Sequence, residues 1–213
     1  MPLGERIAIN TKNPYLSLEI YKGHYATSHS HTNYYIDITA NMSNLAQARA
    51  VAKELAENYK HSTIVDTILC LDGTEVIGTC LATELTNKDI YNVNAGREIC
   101  ILTPEHSSGS QLFFRDNTAP MIIEKQVLIL AASVVTGFTA KAAVESVNYY
   151  SGNVVGITSI FATINDCVGV PVTSVFDPND LPGYATYLST DCEMCRHGEK
   201  INALVNSHGC SLL

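Results

Sequence analysis

Residues 127–144, VLILAASVVTGFTAKAAV, constrain the fold more than any other stretch of the chain. An apolar run of strand length leads through Gly137 into alanines and valines at helical spacing. A strand that is apolar along its whole length has no face to give to water, so it needs cover on both sides, and alternating strands and helices supply that cover. The connecting turn is Val135, Thr136, Gly137, Phe138 and Thr139. It sets backbone N–H groups at the positive end of a helix with two hydroxyls beside them, an arrangement suited to a phosphomonoester.

The same alternation recurs along the chain. Leu45, Ala48, Val51, Ala52, Leu55 and Tyr59 share a helical face behind Ser43 and Asn44 as caps, which predicts a helix over 45–59. Residues 64–71, IVDTILCL, read as a strand that Asp72, Gly73 and Thr74 turn into a helix through about residue 85. Further strands are expected at 98–102, 127–132, 154–161 and 172–176, the last of the chain, with a helix at 139–150. Ligands of such sheets sit beyond the carboxyl ends of the strands, where both the 72–74 and the 135–139 turns fall. Residues 103–118 carry no clear period and are expected to form a loop or a β-hairpin. No linker or internal repeat is visible, so one domain over 1–213 is expected.

A net charge of −8, with thirteen Lys and Arg spread along the chain, argues against a nucleic-acid surface but not against a small anion held by amides. No uninterrupted apolar run is long enough for a membrane span, and the first residues lack a secretory pattern, so no membrane partner and a cytoplasmic address are expected. Seven cysteines then read as thiols or metal ligands, with Cys70, Cys80, Cys100 and Cys167 as core packing. Cys192, Cys195, His197, His208 and Cys210 form a candidate structural Zn²⁺ knuckle over 192–210, the alternative being a tail of unpaired thiols. The nucleotide P-loop, the dinucleotide glycine fingerprint and the hydrolase nucleophile elbow are absent.

On the turn 135–139 the chain resembles the type I phosphoribosyltransferases, and over most of its length the orotate phosphoribosyltransferase-like branch. In that family the strand before the turn ends in two acidic residues; here Ala131 and Ala132 stand in their places. Thr136, Gly137 and Thr139 keep the loop pattern, whereas Val135 and Phe138 depart from it. Residues 28–44, SHSHTNYYIDITANMSN, are similar to the branch's early segment. Asp72, Gly73 and Thr74 take the place of its pyrophosphate loop, and Glu105, His106, Ser108, Gly109 and Gln111 that of its flexible catalytic loop. Residues 191–200 are similar to a Cys-x-x-Cys ending found in some members.

The resemblance implies a Rossmann-like α/β fold with a central, mainly parallel sheet flanked by helices, and a small hood from the N- and C-terminal segments. It implies a homodimer of nucleotide or pyrimidine metabolism, with Mg²⁺ if active. Two functions follow. One is a binding protein for a ribose-5-phosphate-bearing ligand, a nucleoside monophosphate or phosphoribosyl pyrophosphate, with catalysis impaired. Thr103, Pro104 and Glu105 stand where basic residues are expected, and 161–163 lacks an Asp-Arg ending. The other is an active glycosyltransferase that moves ribose-5-phosphate onto a nucleobase such as orotate, with Asp72, Glu75, His106 or Arg115 in the altered roles. Asp72 and Glu75 equally read as charge balance for a helix N-terminus, His106 as a solvated loop side chain, and Tyr34 and Tyr35 as core or dimer packing or as base-stacking groups.

Overall fold

The computed structural model describes residues 3–28, 30–106, 111–206 and 209–213. The chain opens with the antiparallel strands β1 (Glu5–Asn10), β2 (Ser17–Ala26) and β3 (Ser30–Asp37), followed by a short helix α1 (Thr39–Ser43). Helix α2 (Leu45–Ala56) starts at Asn44, whose side chain accepts from the amides of Ala46 and Gln47 at 3.0 and 3.3 Å. That satisfies two amides that have no partner within the helix.

Next come β4 (Thr67–Cys70), α3 (Glu75–Thr86), β5 (Cys100–Leu102) and the antiparallel pair β6 (Glu105–His106) and β7 (Leu112–Phe113). Strand β8 (Gln126–Val134), helix α4 (Phe138–Tyr149) and strands β9 (Asn153–Ala162), β10 (Asp166–Cys167) and β11 (Val170–Phe176) follow. The tail adds β12 (Thr186–Leu188), a one-turn helix α5 (Glu193–Arg196), β13 (Ala203–Asn206) and β14 (Gly209–Leu212).

The central sheet runs β10-β11-β9-β8-β4-β5. Its pairs are parallel except β10 with β11, so the sheet is mixed, mainly parallel with an antiparallel edge. Strand β8 lies inside it with both faces covered. Leu128, Leu130 and Ala132 pack in one cluster with Val51 and Leu55 of α2 and Ile77 and Leu81 of α3. Val127, Ile129 and Ala131 pack in the other with Ala143, Val144 and Val147 of α4. Each large aliphatic side chain so buried contributes roughly 1.5–3 kcal/mol.

The second sheet is the hood, ordered β12-β3-β2-β13-β14 with β1 also on β2. Its Leu18, Ile20 and Tyr34 belong to the same buried cluster as Leu128 and Leu130, which seats the hood on the core. The expectation that 172–176 is the last strand is corrected by β12, β13 and β14. These are short and mostly exposed; β12 is held by pairing to β3, β13 by pairing to β2, and β14 by pairing to β13. The helix expected over 45–59 ends at Ala56, with Tyr59 buried in the turn beyond it. Cys70, Cys80 and Cys167 are buried and Cys100 is half-buried. Among the described residues, no helix is long and apolar enough to cross a membrane.

Asp66 ties the start of the central sheet together. Its carboxylate accepts from the Gln126 amide at 2.9 Å and from Arg97 at 2.7 Å, and its carbonyl accepts from the Cys100 amide at 2.9 Å. Burial pushes its pKa up, but the Gln126 amide and Arg97 outweigh that and hold it below the ordinary carboxylate value. A group depressed in the folded state stabilises the protein above its unfolded pKa, near 4, and loses that contribution as pH falls through the lower folded value. Asp66→Asn is therefore expected to cost about 1 kcal/mol at neutral pH and to flatten the loss of stability below about pH 4. Denaturant titrations of both proteins across that range test this; parallel pH profiles would refute it.

Candidate functional site

Strand β8 ends at a turn that β9 pins from the side. The amide and hydroxyl of Thr163 donate to the carbonyls of Val134 at 3.0 Å and Val135 at 2.7 Å. Gly137 then adopts φ +74°, and a Cβ there would meet Ile164 Cδ1 at 3.1 Å and Cys167 Sγ at 3.4 Å. Only glycine takes that conformation cheaply in so close a space. Gly137 is the N-cap of α4 and brings no side-chain oxygen to its first turn. The amides of a first turn have no carbonyl one turn back, and they carry the positive end of the helix dipole. Thr136 and Thr139 are exposed on either side.

All five turn residues line a cavity of about 250 Å³ at the carboxyl end of β8. Ala131 and Ser133 line it from the strand, Ser30, Thr32 and Tyr34 from β3, and Thr186 from β12. The cavity thus lies between core and hood and opens to solvent beside the turn. Its apolar end carries Phe161 and Tyr184, whose rings meet edge-on at 5.5 Å. Burial pushes the Tyr184 phenol pKa up, which keeps it a neutral donor. Among the described lining residues, Asp72 is the charged one, and neither Lys nor Arg occurs. An anion here meets amides and hydroxyls.

The residues singled out in the 72–75 turn divide. Asp72 and Gly73 take successive left-handed conformations, φ 57° and 80°, and Asp72 lines the cavity. Thr74 is fully buried, and its hydroxyl donates to the carbonyls of Leu71 at 2.8 Å and Leu130 at 3.2 Å. It therefore links β4 to β8 and does not face the cavity. Glu75 accepts from the Thr103 hydroxyl at 2.9 Å, outside the lining.

His106 and Arg115 also lie outside the lining. His106 is exposed on β6, and Arg115 reaches both carboxylate oxygens of Glu105 at 2.8 and 2.6 Å while covering the Phe113 ring at 5.1 Å. Of the four candidate catalytic side chains, Asp72 alone reaches the cavity among the described residues. Ser108 and Gly109 of the adjoining loop lie outside the described residues.

The two alanines in the acidic positions face opposite ways. Ala131 lines the cavity, whereas Ala132 is buried in the cluster of α2 and α3. Tyr34 and Tyr35 are both buried, and the Tyr34 hydroxyl donates to the Pro182 carbonyl at 2.8 Å. In the tail, Cys192 and Cys195 converge with His24 and His31 of the hood. His197 and Cys210 are not part of that group, and His208 lies outside the described residues. The hood hydroxyls and the two histidines were the residues missed from sequence. The signal for the histidines was available in 24–31, HYATSHSH, because a tight hairpin brings its two strands face to face.

No protein-family model matches the chain, and no curated protein matches it by sequence. Solved structures do match. The UMP synthase of Leishmania donovani superposes with a TM-score of 0.57 at 18% identity, covering 76% of this chain and 34% of that one. The adenine phosphoribosyltransferase of Trypanosoma brucei, solved with AMP, pyrophosphate and ribose-5-phosphate, gives 0.53 at 13% identity over 89% and 91% of the two chains. The orotate phosphoribosyltransferase of Mycobacterium tuberculosis, solved with phosphoribosyl pyrophosphate, gives 0.50 at 17% over 70% and 83%. The chain has the type I phosphoribosyltransferase fold. Within this phosphoribosyltransferase fold the turn 135–139 and Asp72 occupy the carboxyl edge of the sheet, the ligand edge of open α/β architectures.

Two substitutions test the local geometry. Gly137→Val is expected to cost at least about 1–2 kcal/mol through the left-handed backbone alone, with further loss from contact with Ile164. Ala132→Asp places a carboxylate in a dry cluster and is expected to destabilise by on the order of 3 kcal/mol or more, far beyond Ala131→Asp at the cavity wall. Equal melting temperatures for the two aspartate variants would contradict the assigned orientations.

Proposed function

We propose that the cavity holds a ribose-5-phosphate-bearing ligand, a nucleoside monophosphate or phosphoribosyl pyrophosphate, with its phosphate on the turn 135–139. The observation that carries this is the convergence of that whole turn, Asp72 and the hood hydroxyls on one cavity. The first-turn amides of α4 and the Thr136 and Thr139 hydroxyls supply the phosphate grip. The Tyr184 ring, packed edge-on against the buried Phe161, offers a surface for a base.

Transfer would demand more of this site. Displacing pyrophosphate needs charge neutralised on the leaving group. Mg²⁺ is commonly held by one or two carboxylates together with substrate phosphates, and Asp72 fits that donor set. A metal held there would neutralise phosphate charge, but a lining without Lys or Arg leaves it unassisted by a side-chain cation. Ala131 further removes the carboxylate that the family resemblance places against ribose hydroxyls. We therefore favour binding with weakened turnover, in a homodimer, over an active transferase of pyrimidine metabolism.

Calorimetric titration with phosphoribosyl pyrophosphate, orotidine monophosphate, uridine monophosphate and adenosine monophosphate, with and without Mg²⁺, tests binding; a pyrophosphate-release assay with nucleobases tests turnover. Binding without release is expected. Release with orotate or another base would establish the transferase, and no binding of any of the four would overturn both readings. Ala131→Asp is expected to tighten ribose-phosphate binding by about tenfold, the value of one added charge-assisted hydrogen bond. Unchanged affinity would remove the ribose from that wall.

A further inference from the structure

On the face of the hood turned away from the cavity, two strands and the tail bring four metal-ligating side chains together. Side chains alternate along β3, so Ser30 and Thr32 line the cavity while His31 points outward. Between Lys22 and Tyr25, strand β2 carries one residue more than its partner. The bulge places His24 diagonally across from His31, because His31 pairs with Ala26, two residues along. From the tail, Cys192 caps the short helix α5 and Cys195 ends one turn later. His24, His31 and Cys192 are buried and Cys195 is exposed, and their ligand atoms lie within 4.8 Å of one another.

Four of the separations between these atoms can be set against the edges of a metal tetrahedron, with His24 and His31 at hydrogen-bond distance. Zn–N bonds of 2.0–2.1 Å and Zn–S bonds of about 2.3 Å, at tetrahedral angles, give N···N edges of about 3.4 Å and S···N edges of about 3.6 Å. The observed His24 Nε2···His31 Nδ1 separation is 3.0 Å, and the sulfur–nitrogen separations are 3.6 Å for Cys192 to His24, 3.7 Å for Cys195 to His24 and 3.3 Å for Cys195 to His31.

The protonation pattern agrees. His24 Nδ1 lies 3.0 Å from the Glu199 carbonyl, which can only accept, so the proton is on Nδ1 and the Nε2 lone pair faces the cluster. A backbone carbonyl that fixes the imidazole in this way is the usual outer partner of a ligating histidine. The Glu199 carbonyl is itself positioned by neighbouring contacts, because the Glu199 amide donates to Met194 at 2.9 Å and Asn202 pairs with the His24 backbone at 2.7 and 2.8 Å.

We infer that His24 Nε2, His31 Nδ1 and the thiolates of Cys192 and Cys195 bind one Zn²⁺ that clips the tail to the β2–β3 hairpin. Four protein ligands close the coordination sphere, so the ion is structural. Binding displaces the thiol protons to solvent, and two thiolates on Zn²⁺ leave the cluster neutral. The set shares only Cys192 and Cys195 with the knuckle read from the tail alone.

Metal analysis of full-length protein purified without chelator or nickel resin is expected to find stoichiometric zinc. His31→Ala and Cys195→Ser are expected to lower it at least about tenfold, while His197→Ala and Cys210→Ser retain it. Unaltered zinc in the first pair, or loss in the second, would overturn the assignment. Should the first pair fail to fold, cobalt supplied to the stripped wild-type chain decides: intense visible bands with sulfur-to-metal charge transfer are expected. A faint octahedral spectrum, or a Cys192–Cys195 disulfide in the protein as isolated under reducing conditions, would refute the site.

Discussion

Burial of β8 on both of its faces is the constraint from which the rest of this structure follows. A strand with Val127 and Ile129 turned to one side and Leu128 and Leu130 to the other cannot lie at a surface, so α4 must cross one face while α2 and α3 cross the other. Parallel pairing to β4 and β9 then brings the ends of three strands to a common edge. The chain leaves β8 toward α4 at that edge, and Gly137 in its left-handed conformation makes the reversal possible within a few residues. The first turn of α4, with its amides at the carboxyl edge of the sheet, is a consequence of how a two-faced strand hands over to its helix.

The cavity combines a neutral grip with an unfavourable global field. The chain carries a net charge of −8, so at low ionic strength a phosphorylated ligand is repelled at long range. What draws it in acts only at short range, through first-turn amides and hydroxyls, and falls off within the last few ångströms. Asp72 sharpens this, since it places a carboxylate in the cavity wall. Any selection for ribose phosphates over free phosphate would therefore have to come from contacts beyond the turn, on the hood and at the Tyr184 end.

The central sheet was legible because its signals are strong and local. Apolar β-branched runs of strand length and an Asn-capped amphipathic helix each specify their own state before any tertiary contact forms. The turn 135–139 was legible for the same reason, as one glycine and two threonines between a strand and a helix. The tail was not, because β12 and β13 owe their conformation to partners far away in sequence, and β14 follows by pairing to β13. Thr74, read as part of a ligand loop, instead satisfies two buried carbonyls, a role that spacing does not reveal. His24 and His31 share a hairpin face that the sequence could have shown, but the cysteines that complete their group lie 164–171 residues away, a proximity that local pattern does not reveal.

The hood is where chain connectivity works against stability. It joins residues near position 24 to residues near 199, a separation of 175 along the chain, and closing so long a loop carries an entropic cost that local hydrogen bonds meet only in part. The parallel pairing of β13 to β2 spans two residues, and β12 meets β3 over three. Neither is long enough to hold a strand by itself. A metal held at His24, beside the Asn202 contact, would bind the folded chain alone, so its binding free energy would offset that loop-closure cost. Such a clip would fix β3 from behind, while Ser30 and Thr32 line the cavity that the turn 135–139 also borders.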